Sequence, residues 1–243
     1  MKLLSTGIET LDTQLGGGFP SGSTILILFD PGAGYEIFST HLVIGGLKNK
    51  EKIFYVNTDA PIEEIEEILI EYGVKVEEYK KKGDLRFIDV YTERYASVFP
   101  RELLSQSYEN ALGGYDPLSG LRNLVTDPNK KGIRTILDSL SYFLRSYEIK
   151  DVIDLVELMG VFTRASQNLS IIFMPRGMHS ETEENTMKHL CDGVIELLVR
   201  EDGTQLNHYM KFLKMKGSST PRNLIPYRIT ERGIEVETTK RLL

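Results

Sequence analysis

Residues Leu26 to His41 read LILFDPGAGYEIFSTH, which has the frame of a phosphate-binding loop and side chains of different chemistry. In the pattern G-x-x-x-x-G-K-[ST], glycines let backbone N–H groups wrap a polyphosphate. The lysine reaches the β and γ phosphates, and the hydroxyl holds Mg²⁺. Here Phe29 stands at the first glycine, Asp30, Pro31, Gly32 and Ala33 fill the variable positions, and Gly34 keeps the second glycine. Tyr35 stands at the lysine and Glu36 at the hydroxyl residue. The strongest direct cation on the phosphates is missing, and a carboxylate sits near the same anions. Two unit charges about 4 Å apart interact by roughly 4 kcal/mol at an effective dielectric near 20, less with screening. One attraction lost and one repulsion gained weaken nucleotide affinity by on the order of a thousandfold or more. Against this, Gly32, Gly34 and the following helix N-terminus still present N–H donors and a positive dipole end, enough for a weak anion site. Glu36 could also ligate Mg²⁺ or Ca²⁺ itself.

Such a loop needs a strand running in and a helix running out, and the apolar run Thr24 to Phe29 and the helical spacing from Glu36 to Leu47 supply both. Similar strand-like runs recur at Lys52 to Asn57, Leu85 to Val90, Arg134 to Leu137 and Leu169 to Met174. Helical spacing recurs at Pro61 to Tyr72, Leu118 to Val125 and Val152 to Ala165. This alternation predicts an α/β fold with a parallel sheet and helices on both faces, with ligands at the carboxyl ends of the strands. Phe29, Asn57, Val90, Asp138 and Met174 mark that rim. After Asp192, the alternating runs Gly193 to Arg200, His208 to Lys216 and Tyr227 to Val236 predict antiparallel strands on one edge. The segment Thr92 to Lys131, broken by SVFP, LGGYDP and TDPNKKG, predicts loops with one or two short helices.

A chain of 243 residues with 41% hydrophobic and 26% charged residues is expected to fold as one α/β domain over 1–243, with the irregular insertion at about 92–131. The net charge of −6 argues against a protein whose main task is to coat nucleic acid. The single Cys191 excludes an internal disulfide framework and, without C-x-x-C spacing or clustered His, there is no zinc signature. Met1 to Thr6 is too short and polar for a signal h-region and no apolar run reaches membrane-spanning length, so a cytoplasmic location is expected. Abundant Lys and Glu with no Trp fit a heat-adapted source.

Several residues carry a bland reading. The acidic run Glu63 to Glu71 reads as a solvated helix face, and His41 as a packed or capping histidine. Tyr91, Tyr95, Phe99 and Tyr108 read as packing groups, although interleaving with Arg94 and Arg101 keeps a nucleic-acid role open. Arg176, in the loop Pro175 to His179 on the rim, reads as a phosphate or partner contact or as a solvated arginine.

The opening Gly7-Ile8-Glu9-Thr10-Leu11-Asp12 and Leu15-Gly16-Gly17-Gly18-Phe19-Pro20-Ser21-Gly22-Ser23 resembles the entry to the ATPase domain of the KaiC and RadA branch of the RecA superfamily. Phe54 to Asp59 is similar to its second strand, Thr135 to Leu140 to its Walker B strand, and Asp192 to Leu197 and Leu213 to Gly217 to its C-terminal strands. The match runs in collinear order over nearly the whole chain. It implies a RecA-like fold and, as cofactor, ATP or ADP with Mg²⁺ held between subunits of a ring or filament of self or related ATPases.

Position by position, the resemblance implies that Asp138 is the Walker B carboxylate that orients the water shell of Mg²⁺, against strand-end hydrogen bonding with Ser139 or Ser141. It implies that Asp59, followed by Ala60, is what remains of paired catalytic acids. Lys214 and Lys216 match a pair that reaches a neighbouring subunit's γ phosphate, against lysines that keep an exposed strand soluble. The leading expectation is an ATPase homologue that no longer hydrolyses ATP and acts as a structural or regulatory partner. The alternatives are a divergent ATP-binding protein using Lys214, Lys216, Asp59 and Asp138, and an accessory factor for single-stranded DNA.

Overall fold

In the computed structural model, which describes residues 2–95, 115–127, 131–217, 221 and 223–237, the strand that enters the loop is buried at all seven positions, Ser23 to Phe29. Its alternate residues feed two cores: Ile25, Ile27 and Phe29 join one, Leu26 and Leu28 the other. A strand covered on both faces has no solvent side, which explains its unbroken apolar run.

The first half of the chain runs β1 (Leu3–Leu4), α1 (Glu9–Gln14), β2 (Phe19–Pro20), β3 (Ser23–Phe29), α2 (Tyr35–Lys48), β4 (Lys52–Asn57), α3 (Ile62–Glu71), α4 (Val76–Lys82), β5 (Leu85–Asp89) and α5 (Val90–Tyr95). Then follow α6 (Pro117–Val125), β6 (Ile133–Asp138), α7 (Ser141–Ser146), α8 (Ile149–Ser166), β7 (Leu169–Pro175) and α9 (Glu181–Leu190). The chain closes with β8 (Gly193–Asp202), β9 (Gln205–Met215), β10 (Ile225–Thr230) and β11 (Gly233–Val236).

Nine strands form one sheet in the order β11-β10-β9-β8-β3-β7-β6-β4-β5. The pairs from β8 to β5 are parallel, and those from β8 through β9 and β10 to β11 are antiparallel. One face carries α2, α3 and α4, and the other carries α6 to α9, in keeping with the two cores. The fold class expected from the sequence is therefore the one observed. A separate two-stranded sheet pairs β1 with β2.

Two close contacts position the loop helix. Gly45 of α2 lies where a Cβ would fall 2.5 Å from the Gly7 nitrogen, so the N-terminal segment packs directly on the helix backbone. Beneath it, Arg134 of β6 is fully buried and donates twice at 2.9 Å to the Glu51 carboxylate and at 2.6 Å to the Leu42 carbonyl of α2.

Five helices go beyond the periodic segments. α1, α4, α5 and α7 have six or seven residues, too few for an apolar period to show. α9 buries only Glu184 and Met187, and its start signal is the capping box of Ser180 and Glu183. The run Tyr227 to Val236 is two strands, divided at the ERG turn. The expected solvated face of α3 is present: Glu63, Glu64, Glu67 and Glu71 are exposed, while Ile62 and Leu69 are buried. Of the irregular segment, residues 96–114 and 128–130, and with them Phe99, Arg101 and Tyr108, lie outside the described residues. Among the described residues, no helix is long and apolar enough to cross a membrane.

Candidate functional site

The parallel register brings the carboxyl ends of β3, β7, β6 and β4 to one rim, since Phe29 pairs with Pro175 and Asn57 with Asp138. Asp30 to Gly34 leave that rim from the centre of the sheet. Gly34 caps α2 with φ +70°, the left-handed region open to glycine, and a Cβ there would fall 2.3 Å from Ile229 Cδ1. The loop is tied down from the antiparallel edge. Tyr227 donates its hydroxyl to the Ala33 carbonyl at 2.6 Å, and His208 Nε2 lies 3.1 Å from the Gly32 carbonyl.

With these carbonyls engaged, and with the Glu36 N–H facing its own carboxylate, the N–H groups of Gly32, Gly34 and Tyr35 meet no acceptor among the described residues. They are the first free donors of a helix N-terminus. The side chains around them are not those of an anion site. Tyr35 stacks on Phe29 with ring centroids 3.9 Å apart and planes 15° apart, and lies 5.8 Å from Phe173. Its hydroxyl is held protonated by burial first, then by the charges of Asp138, Glu36 and Asp59. Burial also pushes the Glu36 carboxyl above its ordinary range.

Asp138 is buried, and its Oδ2 accepts the Tyr55 hydroxyl at 2.6 Å. Ser39 of α2 lies 3.1 Å from the same hydroxyl, so the Walker B position, β4 and the loop helix share one hydrogen-bonded chain. Asp138 Oδ1 has no partner among the described residues. Burial pushes this carboxyl up to about 7; the Tyr55 bond opposes that rise, while Asp59 and Glu36 add to it. The expected strand-end bond to Ser139 or Ser141 is not made, because Ser139 Oγ donates to Asp59 and Ser141 Oγ lies 2.7 Å from His179 Nε2. Tyr55 escapes sequence reasoning because nothing in Phe54-Tyr55-Val56 distinguishes it from packing. Its register carries the signal: it pairs with Ile136, so it lies diagonal to Asp138 on the same sheet face.

Cations near the rim are already engaged. Asp59 bonds to Ser139 and lies 3.5 Å from Arg145. Arg176, expected as a phosphate or partner contact or as a solvated arginine, is tethered within its own chain. It pairs with Asp30 at 2.6 Å and lies 4.0 Å from Glu196, while Asp30 Oδ2 accepts the Val199 N–H. Arg94 donates to the Thr58 carbonyl and sits 4.5 Å over the Tyr142 ring, and Tyr91 packs edge-on against Tyr95 at 5.3 Å. His41 is packed and neutral: its Nε2 accepts the Ile234 N–H, and burial pulls it below its usual range.

Lys214 and Lys216 lie at the opposite end of the strands, by the amino ends of the parallel ones. Val194 pairs with Lys214, and Gly193 pairs with Ile25 at the start of β3, roughly 13 Å of strand from Phe29. Lys214 Nζ donates to the His189 carbonyl at the end of α9, and Lys216 lies 3.5 Å from Asp192. Within one chain the pair does not meet Tyr35, Glu36, Asp59 or Asp138. Among the described residues, no group of three or more His, Cys, Asp or Glu side chains is placed to hold a metal ion.

Comparison with known proteins agrees with this architecture. A crystal structure of a KaiC-like protein from Pyrococcus horikoshii superposes with a TM-score of 0.73 at 21% identity, covering 98% of this chain and 99% of that one. In sequence, the chain is 26% identical to a UPF0273 protein of Pyrococcus horikoshii over 98% of its length and 95% of that protein's. It is 25% identical to a UPF0273 protein of Thermotoga maritima, covering 97% and 96% respectively. Against the circadian clock protein KaiC3 of Synechocystis, identity is 24% over 96% of this chain and 43% of that protein. The family model described as "ATPase: KaiC" matches residues 4–241, and the chain thus belongs to the KaiC ATPase family of the RecA superfamily.

Proposed function

We propose that this chain is a KaiC-family member whose loop no longer supports ATP hydrolysis and which acts as a structural or regulatory partner, of its own copies or of a related RecA-type ATPase. The observation that carries this reading is the stack of Tyr35 on Phe29, which puts an aromatic pair where the motif has a lysine and a glycine. The donor set does not fit a Mg²⁺ nucleotide. Glu36 replaces the hydroxyl, Asp138 Oδ2 is taken by Tyr55, and burial pushes the Asp138 carboxyl toward its neutral form. Arg176 and Arg145, the cations nearest the rim acids, are paired with Asp30 and Asp59. No step of phosphoryl transfer is assigned to these residues, because positioning and charge neutralisation are most of that chemistry.

The exposed N–H groups of the loop support a weak anion site at most. The test is restoration: Tyr35→Lys with Glu36→Thr returns the missing cation and hydroxyl to a loop whose backbone is intact. The double variant should bind ATP measurably where the parent does not. A variant as inert as its parent would place the defect elsewhere, and strong binding by the parent would remove the reading altogether.

A further inference from the structure

Behind α2, on the face away from the rim, lies a cleft of about 560 Å³ between the carboxyl half of α2, the α3–α4 turn and the β10–β11 turn. Lys48, on its edge, follows Tyr35 by roughly 20 Å of helix, so the cleft is separate from the loop. Its volume falls in the range of sites for small organic ligands, about 300–1,000 Å³.

The lining has two parts. Buried Leu47 and Val74 form an apolar floor, flanked by the half-buried rings of Tyr72 and Tyr79. The His41 ring, 6.0 Å from Tyr72, closes one end and adds no charge, since its Nε2 is occupied by the Ile234 N–H. Around the edge stand Lys48, Lys75 and Arg232 against one carboxylate, Glu78. Glu78 lies 2.6 Å from Lys82 and only 3.8 Å from Lys75. Among the described residues, Lys48 and Arg232 meet no carboxylate.

Three cations less one carboxylate leave two positive charges, and the carboxyl ends of α2 and α3 offset about half a charge each. About one positive charge remains over an apolar, tyrosine-walled floor. A purely apolar ligand would leave these cations unused, and a bare anion would leave the floor and rings unused. Tyrosine rings favour an aromatic partner in stacked or edge-on contact.

We propose that this cleft binds a small anionic aromatic molecule of the size of a nucleoside monophosphate, its ring against Tyr72 and Tyr79 and its phosphate toward Lys48 and Arg232. The site is independent of the loop and of whether the loop binds nucleotide.

The test is calorimetric titration of the full chain with AMP, and with inorganic phosphate as a probe lacking the ring. The proteins are the parent, Lys48→Ala/Arg232→Ala, and Glu36→Gln as a loop variant. Lys48 and Arg232 are exposed, so their truncation spares the core. The parent should bind AMP with a dissociation constant below about 1 mM, and phosphate at least about tenfold more weakly. The double variant should lose at least about tenfold in AMP affinity while Glu36→Gln is unchanged. No saturation by AMP, equal binding of AMP and phosphate, or an unaffected double variant would overturn the inference and leave the loop reading standing. AMP binding altered by Glu36→Gln alone would place the ligand at the loop and overturn both.

Discussion

The Tyr55 hydroxyl donates a 2.6 Å hydrogen bond to Asp138 Oδ2, joining β4 to the carboxyl end of β6. The bond favours the ionised carboxylate, burial favours the neutral acid, and burial prevails, pushing the group up to about 7.

Stability should therefore fall as pH rises through this interval. The folded carboxyl holds its proton up to about 7, whereas the unfolded chain releases it near 4. Between these values the native state binds more protons, so its stability decreases with rising pH, by on the order of 3–4 kcal/mol in total from this group. Glu36, also raised by burial, acts with the same sign. Urea unfolding at pH 5 and pH 8 measures the loss, and Asp138→Asn should remove most of it. An asparagine variant with the parent's pH dependence would contradict the assignment.

Replacing Tyr55 by Phe removes the one bond that opposes burial. The Asp138 carboxyl should then titrate above about 7, as followed by its carboxyl carbon resonance. Ser39 loses the same partner, and stability should drop by about 1–3 kcal/mol. A titration shifted downward would contradict the proposed balance.

Arg134 and Glu51 form a fully buried pair under α2, with two bonds at 2.9 Å. Removing one charge leaves the other buried and uncompensated. Arg134→Met should cost about 3–5 kcal/mol in chemical unfolding, and adding Glu51→Leu should recover part of that. A single variant within about 1 kcal/mol of the parent would show that the pair is solvated.

The parallel core was legible because β3, β4 and β7 are apolar runs ending at turn residues, and Lys52–Asn57 agrees with its expected bounds. Helix α9 was not, since its ten residues bury only Glu184 and Met187 and carry no apolar period. At the site, the sequence places Tyr35 and Glu36 on the loop, but which residue meets Asp138 depends on strand register. Likewise Lys214 reads along the chain as a contact to a neighbouring subunit's nucleotide, and strand order decides where it stands in its own subunit. The antiparallel direction of β9 carries it to the amino ends of the parallel strands, where it meets the His189 carbonyl. Arg176 shows the same limit: its role is set by Asp30, 146 residues away in sequence.

The most direct measurement is calorimetric titration of ATP with Mg²⁺ into the Lys48→Ala/Arg232→Ala protein, in which the cleft behind α2 is disabled and the loop is untouched. No saturable binding up to about 1 mM ATP is the predicted result. A micromolar, Mg²⁺-dependent site would contradict it and restore the loop as a working nucleotide site.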